Sequence, residues 1–207
     1  MTAHLGGGPE PTSNPGAAAP SVAATMTGMP AVPGPQADIT IGVVLPLPEP
    51  YAQDVRWMRR EAGDPQADVI PPHITLVPPI RIRQHDLPAA ITQLTEVTDG
   101  YAPFEVHLRG VGTFRPLSPV VFLDPVAGVT ACAHLNRAVR GGLLAYDSLF
   151  PYRPHVTIAH LNDDAALDRA LHLGAGYDIR YQADGIGLYV WHADQTWRLH
   201  TVLPFRG

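Results

Sequence analysis

Apolar residues alternate with other residues along several stretches of the chain, as they do on β-strands that bury one face. The clearest alternation runs from Ile39 to Leu47, and another occupies Ile186 to Val190. Closely spaced prolines after Leu45 are expected to end the first strand, because proline donates no hydrogen bond to a sheet. Strands are predicted in this way at 39–47, 69–77, 104–108, 120–123, 154–160 and within 178–204.

Four other stretches carry apolar residues at helical spacing. The first runs from Tyr51 to Ala62 and is followed by Gly63, a residue type that favours helix C-termini. The remaining three are predicted near 86–98, 132–143 and 163–174. Helices therefore alternate with strands that look antiparallel, and this order predicts a mixed α+β fold.

Three local features of the sequence lead to separate structural predictions. Prolines stand on both sides of the strand at 69–77, which predicts a short strand with unpaired ends. The segment Gly110–Phe114 contains two glycines and is predicted to be a bend. Arg56, Arg59 and Arg60 lie off the apolar stripe of the first helix, and we expect them to form a solvated surface.

The first 37 residues are rich in alanine, proline and glycine, and Glu10 is the only charged side chain among them. Such a segment has too few large apolar residues to offset the entropy lost on ordering. We therefore predict a disordered tail at 1–37 and one folded domain at 38–207. Nothing resembles a transmembrane helix or a signal peptide, so we expect a cytoplasmic protein with no membrane partner.

The charge balance restricts the kind of partner. The formal net charge is −5, and all 14 basic residues are arginine. A protein that coats long nucleic acid is usually basic, so this balance favours a partner held locally, such as a small nucleotide or an RNA terminus. The absence of lysine excludes Schiff-base chemistry, and the single cysteine, Cys132, excludes an intramolecular disulfide.

One five-residue pattern occurs twice: proline, histidine, an apolar residue, threonine, and a second apolar residue. The two copies are Pro72–Leu76 and Pro154–Ile158, and the sequence contains no other His-x-Thr. Because side chains on a strand alternate between faces, the histidine and threonine of each copy point to the same side. Two copies facing each other across a cleft would bring four polar side chains together. They are His73, Thr75, His155 and Thr157.

The paired motifs resemble those of the 2H (two-histidine) phosphoesterase superfamily, which includes the 2′-5′ RNA ligase-like proteins and RNA 2′,3′-cyclic phosphodiesterases. Tyr152–Ile158 is similar to the second motif of that family, and Gly110–Phe114 stands where its members carry a similar pattern. The resemblance covers about residues 38–205. It implies a bilobal fold in which two antiparallel-sheet lobes with outer helices enclose a central cleft.

Hydrolysis of a 2′,3′-cyclic phosphate requires a base that activates water and an acid that protonates the leaving ribose oxygen. Histidine suits both roles because its reference pKa lies near neutrality. The resemblance implies that His73 is the acid, His155 the base, and Thr75 and Thr157 the groups that bind phosphate, with a 2′-phosphate as product. Such a reaction needs no metal or cofactor, and we expect the protein to act as a monomer.

Other residues near the motifs are weaker candidates. Arg153 precedes His155 by two positions, so on a regular strand it would share that face and could bind the substrate phosphate. Arg115 could also reach an anion. Phe114 and Tyr152 could stack on a base or pack in the core.

Three other functions stay open at this point. The same cleft could bind a nucleotide or RNA without turnover. The same active site could also ligate 2′-5′ RNA ends, because ligation is the reverse reaction. A metal hydrolase is disfavoured, since each motif pairs histidine with threonine and not with a second metal ligand.

Overall fold

The computed structural model describes residues 38–207, which form eight strands and four α-helices together with two short 3₁₀ turns. The predicted tail, residues 1–37, lies outside the described residues. The strands are β1 (Asp38–Pro46), β2 (His73–Arg83), β3 (Phe104–Thr113), β4 (Val120–Ala127), β5 (Val156–His160), β6 (Asp178–Ala183), β7 (Gly185–Trp191) and β8 (Trp197–Pro204). The helices are α1 (Tyr51–Ala62), α2 (Leu87–Asp99), α3 (Val129–Val139) and α4 (Asp164–Gly174).

The eight described strands form one antiparallel sheet in the order β6-β3-β4-β5-β2-β1-β7-β8. β2 and β5, the two motif strands, are neighbours at its centre. They are joined by one Cα pair, Ile74 with Val156, and we call this narrow junction the seam. The sheet thus consists of two four-stranded halves, which confirms the predicted α+β fold with two antiparallel lobes.

The apolar positions of both motifs build the hydrophobic core. Ile74 and Leu76 of β2, and Val156 and Ile158 of β5, are fully buried in the same cluster as apolar residues of the helices. The helices therefore cover this face of the sheet, and the alternating histidines and threonines point to the opposite face. Within residues 38–207, no helix is long and apolar enough to cross a membrane.

The prediction of a short first motif strand is wrong. β2 does not end at Pro78-Pro79 but continues through them to Arg83. The register against β1 shifts between Ile41 and Val43, opposite these prolines, so they occupy a bulge where a missing N–H is tolerated.

The predicted bend at Gly110–Phe114 is also wrong, because β3 runs from Phe104 to Thr113. Its pairing with β4 shifts between Leu108 and Val111. Gly110 has a φ of 77°, in the left-handed region that glycine adopts readily. The glycine therefore forms a bulge inside a continuous strand and does not end it.

Arg59 was expected to be solvated, but its side chain is buried and the residue is only 5% exposed. Its Nε donates to Asp64 at 2.9 Å, and its terminal nitrogens donate to the carbonyls of Ile70 and Gln66 at 2.7 and 3.0 Å. The segment after α1 surrounds the guanidinium and accepts its hydrogen bonds. Helical spacing could not reveal this, because the partners belong to a loop that follows the helix.

Candidate active site

A proline before each motif histidine helps to determine where the imidazole points. His73 is the first residue of β2, and His155 immediately precedes β5. In each motif the histidine Nδ1 lies close to the carbonyl oxygen two residues earlier, 2.6 Å from Pro71 and 2.8 Å from Arg153. A carbonyl can only accept, so Nδ1–H is the donor and Nε2 remains the lone-pair nitrogen of the neutral ring.

The pairing at the seam brings the four polar motif side chains together. Antiparallel geometry next to the pair Ile74–Val156 sets His73 against Thr157 and Thr75 against His155, and His155 is close enough to His73 to lower its pKa. Opposite residues in such a ladder have Cβ atoms about 5 Å apart, and residues two apart on a strand are separated by roughly 7 Å. We call these four residues the motif quartet, and the side of the sheet that bears them the catalytic face.

The two threonine hydroxyls of the quartet are available to a ligand. Thr75 and Thr157 are both half-buried. Among residues 38–207, neither hydroxyl has a hydrogen-bond partner, whereas the threonines of α2 donate to backbone carbonyls. Each hydroxyl can therefore donate a hydrogen bond to an anion held over the quartet.

Burial keeps both histidines in their neutral form. The pKa of His73 is lowered to about 4, mainly by burial and also by the nearby Arg59 and His155, against the hydrogen bond to Pro71, which raises it. Burial also lowers the pKa of His155, as does the charge of Arg153. At neutral pH, both rings of the unliganded protein are thus uncharged, and each Nε2 can accept a proton.

Aromatic rings and an ion pair surround His155. Its ring meets Phe114 edge-on, with centroids 5.0 Å apart, and lies 5.3 Å from Phe122. The guanidinium of Arg153 lies over the Phe122 ring at 4.8 Å and binds Asp124 at 2.9 Å. These contacts fix the position of the imidazole and place one cation beside it.

Arg115 and Tyr152, two further candidates from the sequence, both form hydrogen bonds within the protein. Arg115, which was considered as a residue that could reach an anion, binds Asp164 at 3.1 Å and Asp168 at 2.7 Å, so two carboxylates of α4 already compensate its charge. The Tyr152 hydroxyl donates to the Thr75 carbonyl at 3.0 Å, which links the segment before β5 to β2 across the seam.

Sequence reasoning did not identify three residues that shape the site. Because β4 pairs with β5, Phe122 contacts the His155 ring and Asp124 binds Arg153, and Asn136 of α3 donates to the Leu76 carbonyl at 2.7 Å. Phe122 and Asp124 alternate with core residues along β4, but only the strand order shows that β4 lies next to β5 and its motif. Within residues 38–207, no group of three or more His, Cys, Asp or Glu side chains is placed to hold a metal ion.

The fold and the quartet together define a bilobal two-histidine protein. A family model described as the 2′-5′ RNA ligase superfamily matches residues 46–195, and the chain belongs to this family. The match includes both motifs and confirms the resemblance to the 2H phosphoesterases. Membership indicates an enzyme that acts on phosphodiesters.

Relatives and solved structures agree with this assignment. A Bacillus cytotoxicus protein provisionally named a phosphoesterase is 28% identical over 162 residues, which is 77% of this chain and 93% of the relative. A similarly named Bacillus cereus protein is 30% identical over 125 residues, 60% of this chain and 72% of its own length.

Two solved structures share the fold. Escherichia coli LigT complexed with NADP⁺ has a TM-score of 0.58 at 16% identity, covering 83% of this chain and all of LigT. TT0787 of Thermus thermophilus has a TM-score of 0.55 at 18% identity, covering 81% of this chain and 98% of TT0787. At these identities, the likeness is evidence for the fold alone.

Proposed function

We propose that the protein is a metal-independent phosphodiesterase that opens 2′,3′-cyclic phosphates to 2′-phosphates. One observation carries the proposal. Both imidazoles are held by Nδ1–H bonds to the carbonyl two residues earlier, which leaves two Nε2 atoms on one face, each beside a threonine hydroxyl. This is an arrangement for two proton transfers around one bound anion.

The reaction needs only the quartet and water. A water oxygen forms a bond to phosphorus while the bond from phosphorus to the ribose O3′ breaks. The base histidine takes the proton of the water through Nε2, and the acid histidine gives a proton to O3′. Following the resemblance, we assign the base role to His155 and the acid role to His73. Thr75 and Thr157 donate hydrogen bonds to the non-bridging oxygens as charge develops there.

The acid histidine must be protonated before the reaction, although both rings are neutral in the free protein. A bound phosphodiester supplies a negative charge beside the imidazoles, and a nearby opposite charge favours the protonated form of histidine. Substrate binding therefore raises the pKa of the acid. Arg153, which lies beside His155, is paired with Asp124 through one terminal nitrogen, and its remaining N–H groups can contact the phosphate or its ribose.

The proposed substrates are RNA termini or small nucleotides that carry a cyclic phosphate. Solved complexes of the structural neighbour LigT contain 3′-AMP, ATP and NADP⁺, all of which are nucleotides. The net charge of −5 also favours a short ligand over a long polyanion.

The test is hydrolysis, in EDTA, of an oligoribonucleotide that ends in a 2′,3′-cyclic phosphate, with the phosphate position of the product identified. We expect a 2′-phosphate, and we expect His73→Ala and His155→Ala each to lower kcat by at least about 10²-fold. His172→Ala, which changes an exposed histidine of α4, is the matched control. Full activity in both motif variants would refute the mechanism. Ligand binding without any product would instead favour a non-catalytic binding module.

A further inference from the structure

The catalytic face extends well beyond the quartet, across the half of the sheet that contains β1, β7 and β8. Cross-strand pairs continue the row of Thr75 through Val44 and Gly187 to Val202. The next row runs from Gly42 through Tyr189 to Leu199. Paired residues of antiparallel strands point to the same face, so all these residues share the side of the sheet that bears the histidines.

Tyr189, Leu199 and Val202 form what we call the apolar platform. A Cβ placed on Gly187 would lie 3.0 Å from the Tyr189 ring and 3.4 Å from Leu199, so these two side chains lean over the glycine, which belongs to the row of Thr75. Leu199 and Val202 are nevertheless 50% and 52% exposed. The two side chains thus present apolar surface to solvent on the face where the substrate binds.

The corresponding wall on the other side of the quartet is already occupied. Phe122 is fully buried, with His155 and Phe114 against its ring and the Arg153 guanidinium over it. The Phe122 ring is therefore already covered. The apolar platform, by contrast, has uncovered apolar surface at Leu199 and Val202.

Position and charge indicate what the platform binds. Strands lie about 4.8 Å apart, so the platform, two strands from Thr75 at Tyr189 and three strands at Leu199 and Val202, lies roughly 10–14 Å from the quartet. This is further than the base of a nucleotide whose own phosphate occupies the quartet, and it suits the base of the adjoining nucleotide. The rows contain only apolar residues, glycine and the Tyr189 phenol, which matches an uncharged planar ring and not another phosphate.

We propose that the apolar platform stacks the nucleobase next to the terminal nucleotide, so that the protein prefers a dinucleotide end over a single cyclic nucleotide. The inference rests on the proposed function, because it places the terminal phosphate on the quartet. Stacking of a base on an aromatic ring such as that of Tyr189 typically strengthens binding by about tenfold or more, and apolar contact with Leu199 and Val202 adds to it.

The experiment compares the binding of two product-like probes by calorimetry: a nucleoside 2′-monophosphate and a dinucleotide that ends in a 2′-phosphate. We expect wild type to bind the dinucleotide about tenfold more tightly. Leu199→Ala and Val202→Ala should remove most of that preference and leave binding of the mononucleotide unchanged. Both residues are half-exposed, so the variants should fold. Val129→Ala, which shortens an exposed apolar residue at the start of α3, is the control.

The outcomes separate this inference from the proposed activity. Equal affinity for the two probes, or equal weakening of both by Leu199→Ala, would overturn the platform even if cyclic ends are hydrolysed. A Leu199-dependent preference in a protein that hydrolyses no cyclic phosphate would refute the activity and support the platform. Failure of the protein to bind either probe would overturn both.

Discussion

Replacing Tyr152 by phenylalanine removes one oxygen atom from the seam and should affect both stability and catalysis. β2 and β5 share a single Cα pair, so little backbone hydrogen bonding holds the two halves of the sheet together at the quartet. Side chains that lie outside the strands donate hydrogen bonds to backbone carbonyls of β2 instead. Tyr152 donates to Thr75 at 3.0 Å, and Asn136 donates to Leu76 at 2.7 Å.

The magnitude follows from the carbonyl that is left behind. A buried acceptor that loses its donor costs about 1–3 kcal/mol, and the half-buried position of Tyr152 allows some access of water. We therefore expect Tyr152→Phe to lower the free energy of unfolding by about 1–2 kcal/mol. For a domain of this size, that corresponds to a decrease in Tm of roughly 2–8 °C.

The catalytic effect should appear in kcat. Tyr152 ties Thr75 to the segment that leads into His155, and catalysis is sensitive to misplacement of reacting groups by about 1 Å. We expect kcat on a cyclic-phosphate substrate to fall about tenfold, with a smaller change in KM. Thermal unfolding and steady-state kinetics on the same preparations measure both effects.

Tyr177→Phe is the matched control for this prediction. Tyr177 is also half-buried, and its hydroxyl is hydrogen-bonded to Asp54 of α1 at 3.3 Å, but it follows α4 and shares no hydrogen bond with the motif strands. The Tyr177→Phe variant should lose some stability and keep the kcat of the wild type. If Tyr152→Phe loses stability but retains full kcat, the seam does not position the quartet; if it loses neither, the hydrogen bond is not significant.

Three further predictions concern other parts of the fold. The pKa of His73 falls from 6.5 to about 4 on folding, so the unfolded chain binds a proton that the native state excludes. Urea unfolding should therefore show that wild type loses about 2 kcal/mol more than His73→Asn between pH 7 and pH 4.5. Arg59→Met leaves a buried carboxylate unpaired and should lower the unfolding free energy by about 3–5 kcal/mol in the same assay at pH 7; a loss below about 1 kcal/mol would contradict the buried pair. Gly112→Ala would place a Cβ 2.7 Å from the ring of the fully buried Phe122. It should lower stability by about 1–3 kcal/mol, whereas Gly141→Ala, with nothing within 4 Å, should have little effect on Tm.

Local patterns predicted most of the secondary structure, because each pattern has a local cause. The first helix ends at Gly63, which adopts the left-handed conformation expected of a C-terminal cap. Asp163 caps α4 by accepting from the backbone N–H of Ala165. The errors at Pro78-Pro79 and at Gly110 arose because both features are bulges, and the partner strand decides whether an irregular residue ends a strand or interrupts it.

The motif histidines could be identified from the sequence because their orientation is also determined locally. The carbonyl that accepts each Nδ1–H belongs to the residue two positions earlier, so a few consecutive residues are enough to direct Nε2. The distance between the two imidazoles is not determined locally, because it depends on one Cα pair between strands that are far apart in the sequence. The environment of His155 depends on β4, whose position next to β5 no local pattern indicates.

Because each histidine is oriented locally, the surface around the two histidines can vary within the family. Because each ring is oriented by its own segment and His155 also by β4, substitutions in β7 and β8 can change what the catalytic face binds without disturbing the two Nε2 atoms. The apolar platform consists of residues of this kind, since Leu199 and Val202 lie two or more strands from the quartet and contribute little to the core. In the function proposed above, the two motifs determine the reaction, and strands that the motifs do not specify determine the substrate.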